Sequence, residues 1–141
     1  MIRQATAKDL PEVIGLVKKS LEEMGEEVNE ALITKKVVNS FHLAPCFLLV
    51  KYDIIVGMVG YTILTNSWSG DATLSDYMFY VEKEHRNIRT LSDLIEHSKA
   101  FASQNNLPLR IETIANNDEE LRKRLFRMHG FNVYSVVGVF K

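Results

Sequence analysis

Four side chains in one stretch, Asp76, Tyr80, Arg86 and Arg89, have types and spacing that could do chemistry. The two arginines stand just ahead of a helix start. Unpaired backbone N–H groups and the positive end of the helix dipole favour an anion such as a phosphate there. Asp76 lies inside the apolar run Leu74 to Val81, on the same alternating face as Leu74, Met78 and Tyr80. A carboxylate is out of place on such a face. Two roles are open to it: a general base, or an acceptor for nearby backbone N–H groups or a basic side chain. Glu112, on a neighbouring strand, is a second base candidate.

These residues need a strand, a turn and a helix to position them. Leu74 to Val81 is rich in aromatic and apolar residues suited to a pleated surface, and Glu82-Lys83-Glu84-His85 ends it with charge. After the turn, Leu91, Leu94, Ile95, Ser98, Phe101 and Ala102 fall on one helical stripe. Thr90 and Asp93 have capping-box spacing, so the helix is expected to begin near Thr90.

The rest of the chain supplies the frame. Met1 to Thr6 alternates as a short strand, and Thr6 and Asp9 are spaced as a capping box with Pro11 just inside the helix. Leu10, Val13, Ile14, Val17 and Leu21 form the buried stripe, which Gly25 closes. A second helix over Asn29 to Phe41 has a weaker stripe of Leu32, Val37 and Phe41. Strands Cys46 to Lys51 and Ile54 to Leu64 make a hairpin at Tyr52-Asp53, and Gly57 and Gly60 predict a bulge or close packing. Trp68, in the polar loop Thr65 to Ala72, is either an acceptor wall or a lid over the core edge. Leu109 to Ile114 reads as a strand, and Asn116-Asn117-Asp118 opens a last helix with Leu121, Leu125 and Met128 inward and Gly130 at its end. Phe131 to Lys141 allows one strand or two very short ones.

Composition narrows the function. A chain of 141 residues, 46% hydrophobic and 25% charged, describes one globular domain over residues 1–141. A formal net charge of −1 with dispersed basic residues argues against nucleic-acid binding. No run reaches membrane-spanning length and the first residues do not form a signal peptide, so a cytoplasmic location is expected. The single cysteine, Cys46, excludes an intrachain disulfide and is read as a small buried residue, with a nucleophilic role the minor alternative. His42, His85, His97 and His129 lack metal-ligand spacing and are read as surface or turn residues.

Over almost its whole length the chain resembles the GNAT superfamily of acetyl-coenzyme A-dependent acyltransferases. The opening Ile2-Arg3 to Thr6 with Asp9-Leu10-Pro11, the strand return Ile55-Val56-Gly57, the hexapeptide Arg86-Asn87-Ile88-Arg89-Thr90-Leu91, and Asn117, Leu125-Phe126 and Gly130-Phe131 carry the resemblance. It implies an α/β (α+β) fold, with a central mixed, mostly antiparallel sheet flanked by helices on both faces. It also implies a cofactor site. The hexapeptide amides and Arg86 and Arg89 would hold the coenzyme A pyrophosphate, the main chain of Phe79 to Val81 would meet the thioester and pantetheine, and Asn117 would approach the cofactor. Arg89 and Leu91 stand where the family usually has small residues. Phe126 stands where many members place the tyrosine that protonates the departing thiolate, which leaves Tyr80, Tyr134 or a bound water as donors. The short C-terminus leaves one side of the acceptor site open, or asks a second subunit of a homodimer to cover it. Two readings follow: an N-acyltransferase moving an acetyl group from acetyl-coenzyme A to an amine of a small molecule or protein, or a non-catalytic GNAT-fold module acting through protein contacts. The acceptor is not named by either.

Overall fold

Alternating apolar strands pair in chain order to give one five-stranded sheet, β1-β2-β3-β4-β5. The strands of this computed structural model, which describes residues 1–114, 118–133 and 140, are β1 (Ile2–Gln4), β2 (Cys46–Lys51), β3 (Ile54–Thr65), β4 (Ala72–Val81) and β5 (Leu109–Arg110). The helices are α1 (Leu10–Glu23), α2 (Glu30–Phe41), α3 (Ile88–Gln104) and α4 (Glu119–Met128). β1 to β4 are antiparallel neighbours, and β5 joins β4 in parallel. The mixed, mostly antiparallel sheet expected from the sequence is therefore present. The expected terminal strand falls largely on residues outside those described.

Helices cover both faces because alternate strand residues feed two cores. On one face Phe47, Val59, Leu74 and Phe79 pack with Leu91, Leu94 and Ile95 of α3 and Leu125 of α4. On the other, Leu48, Met58, Met78 and Tyr80 pack with Val13 and Leu16 of α1 and Ile33 and Val37 of α2. Each fully buried Leu or Ile of the α3 stripe contributes about 1.5–3 kcal/mol of burial, so sheet contact, not helix propensity, holds α3 in place. On α2 the buried positions are Ile33, Val37 and Ser40; of the stripe the sequence suggested, Val37 is buried, Phe41 packs half-buried on the same core, and Leu32 is exposed, its place taken by Ile33. Met128 is likewise exposed, and Phe126 takes the inward place beside Leu125.

The N-terminal junction is fixed by charge. Asp9 accepts two hydrogen bonds from the Arg3 guanidinium, at 2.8 and 2.9 Å, and one from the Thr6 N–H at 2.8 Å. Arg3, and then Thr6, hold the Asp9 carboxyl well below the usual carboxylate range. A depressed folded-state pKa contributes stability above the unfolded value and loses it as pH falls through the folded one. This contribution thus disappears only in strong acid.

The turn Tyr52-Asp53 has positive φ at both residues, 51° and 63°, the twist a two-residue hairpin needs. Further along, the β3–β4 register slips between Gly60 and Tyr61: Tyr61 faces Asp76, but Gly60 faces Met78. Tyr77 is the extra residue of a β-bulge, and Gly60 makes room for it. A Cβ on Gly60 would lie 2.3 Å from the Tyr77 ring.

Candidate functional site

The bulge decides which side chains share a face. Before it, Leu74 and Asp76 point to the α3/α4 side; after it, Met78 and Tyr80 point to the α1/α2 side. Simple alternation puts Asp76 and Tyr80 together, but one inserted residue reverses the pattern. The structure separates the two catalytic candidates onto opposite faces of β4.

Asp76 is 6% exposed. Its carboxylate accepts from the Glu112 N–H at 2.8 Å, the Thr113 N–H at 3.0 Å and the Thr113 hydroxyl at 2.6 Å. The Thr113 hydroxyl in turn accepts from the Phe79 N–H at 2.7 Å. Burial pushes the Asp76 pKa up, opposed by the donors from Thr113 and Glu112. Of the two roles open to it, the geometry displays the acceptor of backbone N–H groups. Glu112 itself is exposed and ion-paired with Arg110.

This side-chain relay explains why the predicted strand Leu109 to Ile114 stops at Arg110. Only Leu74↔Leu109 and Ser75↔Arg110 pair as ladder. Beyond them the amides that would have joined β4 are taken by Asp76. Among the described residues, no strand pairs with β4 on that side past Ser75. Backbone groups of alternate residues point the same way along a strand, so Phe79 and Val81 present theirs to this open edge. The Val81 carbonyl there accepts from Arg86 Nε at 3.0 Å.

A cleft of about 150 Å³ lies along the opening, lined by Phe79, Tyr80 and Val81 from β4, Leu91 from α3, Thr113, and Asp118 and Leu121 near α4. Ser20, Glu23, Met24 and Arg86 complete its wall. Drug-sized ligands occupy roughly 300–1,000 Å³, so this volume suits the reacting end of a long ligand, not all of it. Tyr80 is 7% exposed, its ring lies 5.4 Å from the Arg86 guanidinium, and burial, then the Glu23 charge, raises its pKa. The phenol therefore keeps its proton at neutral pH.

The helix start lies two residues earlier than Thr90. α3 begins at Ile88 with Asn87 as N-cap. The Asn87 side chain accepts from the Thr90 N–H at 3.0 Å, and the Thr90 hydroxyl accepts from the Asn87 N–H at 3.1 Å. The Leu91 N–H donates to the Asn87 carbonyl at 3.1 Å. Thus the amides of Asn87, Thr90 and Leu91 are satisfied internally, while those of Ile88 and Arg89 open the helix. Arg86 donates to both carboxylate oxygens of Glu23, at 2.8 and 3.1 Å, besides the Val81 carbonyl. Arg89 is exposed and has no ion-pair or hydrogen-bond partner among the described residues. The Leu91 side chain is buried in the core as well as lining the cleft.

Other sequence candidates find different places. Asn117 and Tyr134 lie outside the described residues. Phe126 is 8% exposed, with its ring centroid 5.5 Å from that of Phe131, and is not part of the cleft wall. Cys46 is buried and its thiol is pushed up to about 12 by burial, unsuited to nucleophilic work. Trp68 is 97% exposed, so it is neither wall nor lid. His129 is not a free turn residue: its Nε2 lies 2.9 Å from the Ser92 hydroxyl, joining α4 to α3. No group of His, Cys, Asp and Glu among the described residues could hold a metal ion. Sequence reading missed Glu23 and Thr113. Glu23 gave no signal, since one acid on a polar helix face is ordinary, and Thr113 could have been found only through the strand it fails to form.

Solved structures share this arrangement of elements. A probable acetyltransferase matches all of this chain over 95% of its own, with 20% identity and a TM-score of 0.79. The fold is that of the GNAT acetyltransferases. A predicted acetyltransferase with acetyl-CoA from Clostridium acetobutylicum shares 15% identity with a TM-score of 0.78, covering 100% of this chain and 95% of that one. An aminoglycoside 6′-N-acetyltransferase from Acinetobacter haemolyticus shares 18% with a TM-score of 0.73, covering 100% and 97%. Neither the protein-family models nor the curated proteins include a match to this sequence. At these identities the likeness fixes the GNAT fold and leaves activity to be argued from the site. No described helix is long and apolar enough to cross a membrane.

Proposed function

We propose that this protein is an N-acyltransferase that moves the acetyl group of acetyl-coenzyme A to an amine, working in the cytoplasm where that thioester is made. The observation that carries the reading is the end of β4 beside the start of α3, where the ladder to β5 has stopped, the chain after β5 is bonded only through Asp76 and Thr113 as far as Phe79, and the strand edge beyond Phe79 is open. Acyl transfer needs a bound thioester, a polarised carbonyl, a neutral amine and an acid for the departing thiolate. The open edge of β4 at Val81 offers backbone groups to the pantetheine and thioester. Arg86, Arg89 and the amides of Ile88 and Arg89 form the phosphate end, with Asn87, Thr90 and Leu91 shaping the turn. For Arg86 this requires exchanging Glu23 for phosphate oxygens.

The amine nitrogen attacks the thioester carbon, a C–N bond forms, the C–S bond breaks, and the amine gives up one proton. Tyr80, protonated and lining the cleft, supplies the proton that the thiolate takes, and recovers one from solvent. Asp76 is a positioning residue: it fixes Thr113 and, through it, the Phe79 N–H. Calorimetric titration with acetyl-coenzyme A, followed by thiol release with added amines, tests this. Binding and turnover are expected, with Tyr80→Phe lowering kcat by roughly 10²-fold or more while leaving the dissociation constant of acetyl-coenzyme A nearly unchanged.

The non-catalytic alternative has its own support. The capping box takes the amides of Asn87 and Thr90, and Arg86 is engaged by Glu23. If the titration shows no binding of acetyl-coenzyme A, this module reading replaces the enzyme.

A further inference from the structure

The hairpin of β3 and β4 outruns its neighbour. β2 pairs with β3 only from Lys51↔Ile54 to Cys46↔Gly60, while β3 and β4 stay paired out to Thr65↔Ala72. The Tyr61 N–H still donates to the Pro45 carbonyl at 3.1 Å, and the N–H groups of Leu43 and Ala44 turn back onto Ser40 of α2. Past Tyr61, β3 has a free edge among the described residues. Backbone groups of alternate strand residues point the same way, so Ile63 and Thr65, in phase with Tyr61, aim theirs off the sheet. Asn66, on the other phase, closes the hairpin by donating to the Asp71 carbonyl at 2.8 Å. The Ile63 and Thr65 N–H groups have no partner among the described residues.

Proteins blunt such edges with lysine, proline or a covering element. Here Thr62 to Gly70 contains no charged residue and no proline. Three apolar side chains lie exposed along it: Leu64 on the edge strand, Trp68 at the hairpin tip, and Leu43 at the root, just before Pro45. We infer that this edge is a dimer surface whose occupant is a second copy of the chain, paired antiparallel about a two-fold axis at Leu64. The register follows from the phase of the backbone groups. Ile63 meets Thr65 of the second copy in a reciprocal pair of N–H to C=O bonds, the symmetry repeats this on the other side of the axis, and Leu64 faces Leu64 in the close position between them. The axis also carries the tip of each hairpin to the root of the other: Tyr61 lies about 10 Å of strand to one side of Leu64, and the turn bearing Trp68 about as far to the other. Trp68 thereby covers Leu43 of the second copy. A second copy is favoured over an unrelated strand because the edge itself supplies the donors, the acceptors, the apolar pair at the axis and the match of tip to root. The surface lies at the opposite end of β4 from the cleft at Val81, so the inference does not rest on acyl transfer.

Trp68 is the chain's single tryptophan, so its fluorescence reports this surface alone. Sedimentation equilibrium and emission spectra, from micromolar to millimolar protein, test the inference together. A monomer–dimer equilibrium is expected, with a blue shift of Trp68 emission that follows the dimer fraction. Leu64→Lys sets like charges against each other at the axis, and Thr65→Pro removes an outward donor without touching the β3–β4 ladder; each should weaken dimerisation by roughly tenfold or more and return the emission to that of dilute protein. Both positions are exposed, so thermal unfolding of the dilute variants should match that of the unsubstituted chain. A monomer at every concentration overturns the inference. So does a mass beyond two chains, which means open-ended pairing, or a dimer that survives both substitutions or leaves Trp68 emission unchanged.

Discussion

The two ends of the cleft are built in opposite ways. At the β4 end, no strand closes the sheet past Ser75: a carboxylate and a hydroxyl absorb the neighbouring amides, the Phe79 N–H and the Val81 carbonyl are taken by Thr113 and Arg86, and the Val81 N–H is left facing the open edge. At the α3 end, backbone groups are used up by a reciprocal cap between Asn87 and Thr90. The first end spends side chains to free the main chain; the second spends main chain on its own side chains. A family-like loop sequence would have suggested the reverse, a strong phosphate end and an unremarkable strand. Binding energy in this protein should therefore lean on the strand opening and on Arg86 more than on loop amides.

Removing the device that keeps the strand open should have the largest effect. Asp76→Ala leaves the Glu112 and Thr113 amides without their acceptor, and losing hydrogen bonds to a buried charge should cost about 3 kcal/mol or more, read as a lower urea midpoint with an unchanged slope. If stability is unchanged, the relay does not hold the opening, and the contrast between the two ends loses its basis.

Arg86→Ala comes next. It removes the guanidinium proposed to meet phosphate, and charge-assisted hydrogen bonds of this kind are worth about 1.5–3 kcal/mol, so acetyl-coenzyme A should bind at least tenfold more weakly by titration. Unchanged affinity would confine Arg86 to its present duty of tying Glu23 to β4.

Phe126→Tyr asks whether α4 belongs to either end. The ring is buried against Phe131 and off the cleft wall. The added hydroxyl should lower thermal stability by about 1–3 kcal/mol without raising thiol release. A stable, faster variant would instead place the ring edge at the reacting thioester.

The smallest effect, and the one that sharpens the contrast most directly, belongs to Asn87→Gly. Glycine at an N-cap costs only about a few tenths of a kcal/mol relative to asparagine, and it releases the Thr90 amide. One gained hydrogen bond of about 0.5–1.5 kcal/mol should tighten acetyl-coenzyme A binding a few-fold. Weaker binding would show that Asn87 serves the ligand, not only the helix.

The sequence by itself determined the order of elements as far as α4, the two-sided burial and the GNAT-like outline, because apolar periodicity at strand and helix spacing is a local property. It marked the hairpin at Tyr52-Asp53 and the special status of Gly57 and Gly60 for the same reason. It could not determine the α3 cap: Asn87–Thr90 and Thr90–Asp93 have the same spacing, and only the path of the incoming turn selects between them. Nor could it place Asp76. Its face depends on a bulge at Tyr77 that exists only when Gly60 of another strand lies opposite, and its partners, Glu112 and Thr113, are remote in sequence. The length of β5 was beyond it as well, since a strand ends where its partner's hydrogen bonds end. Here they end because a buried carboxylate outcompetes the ladder, a choice made only when β4, β5 and α3 have come together.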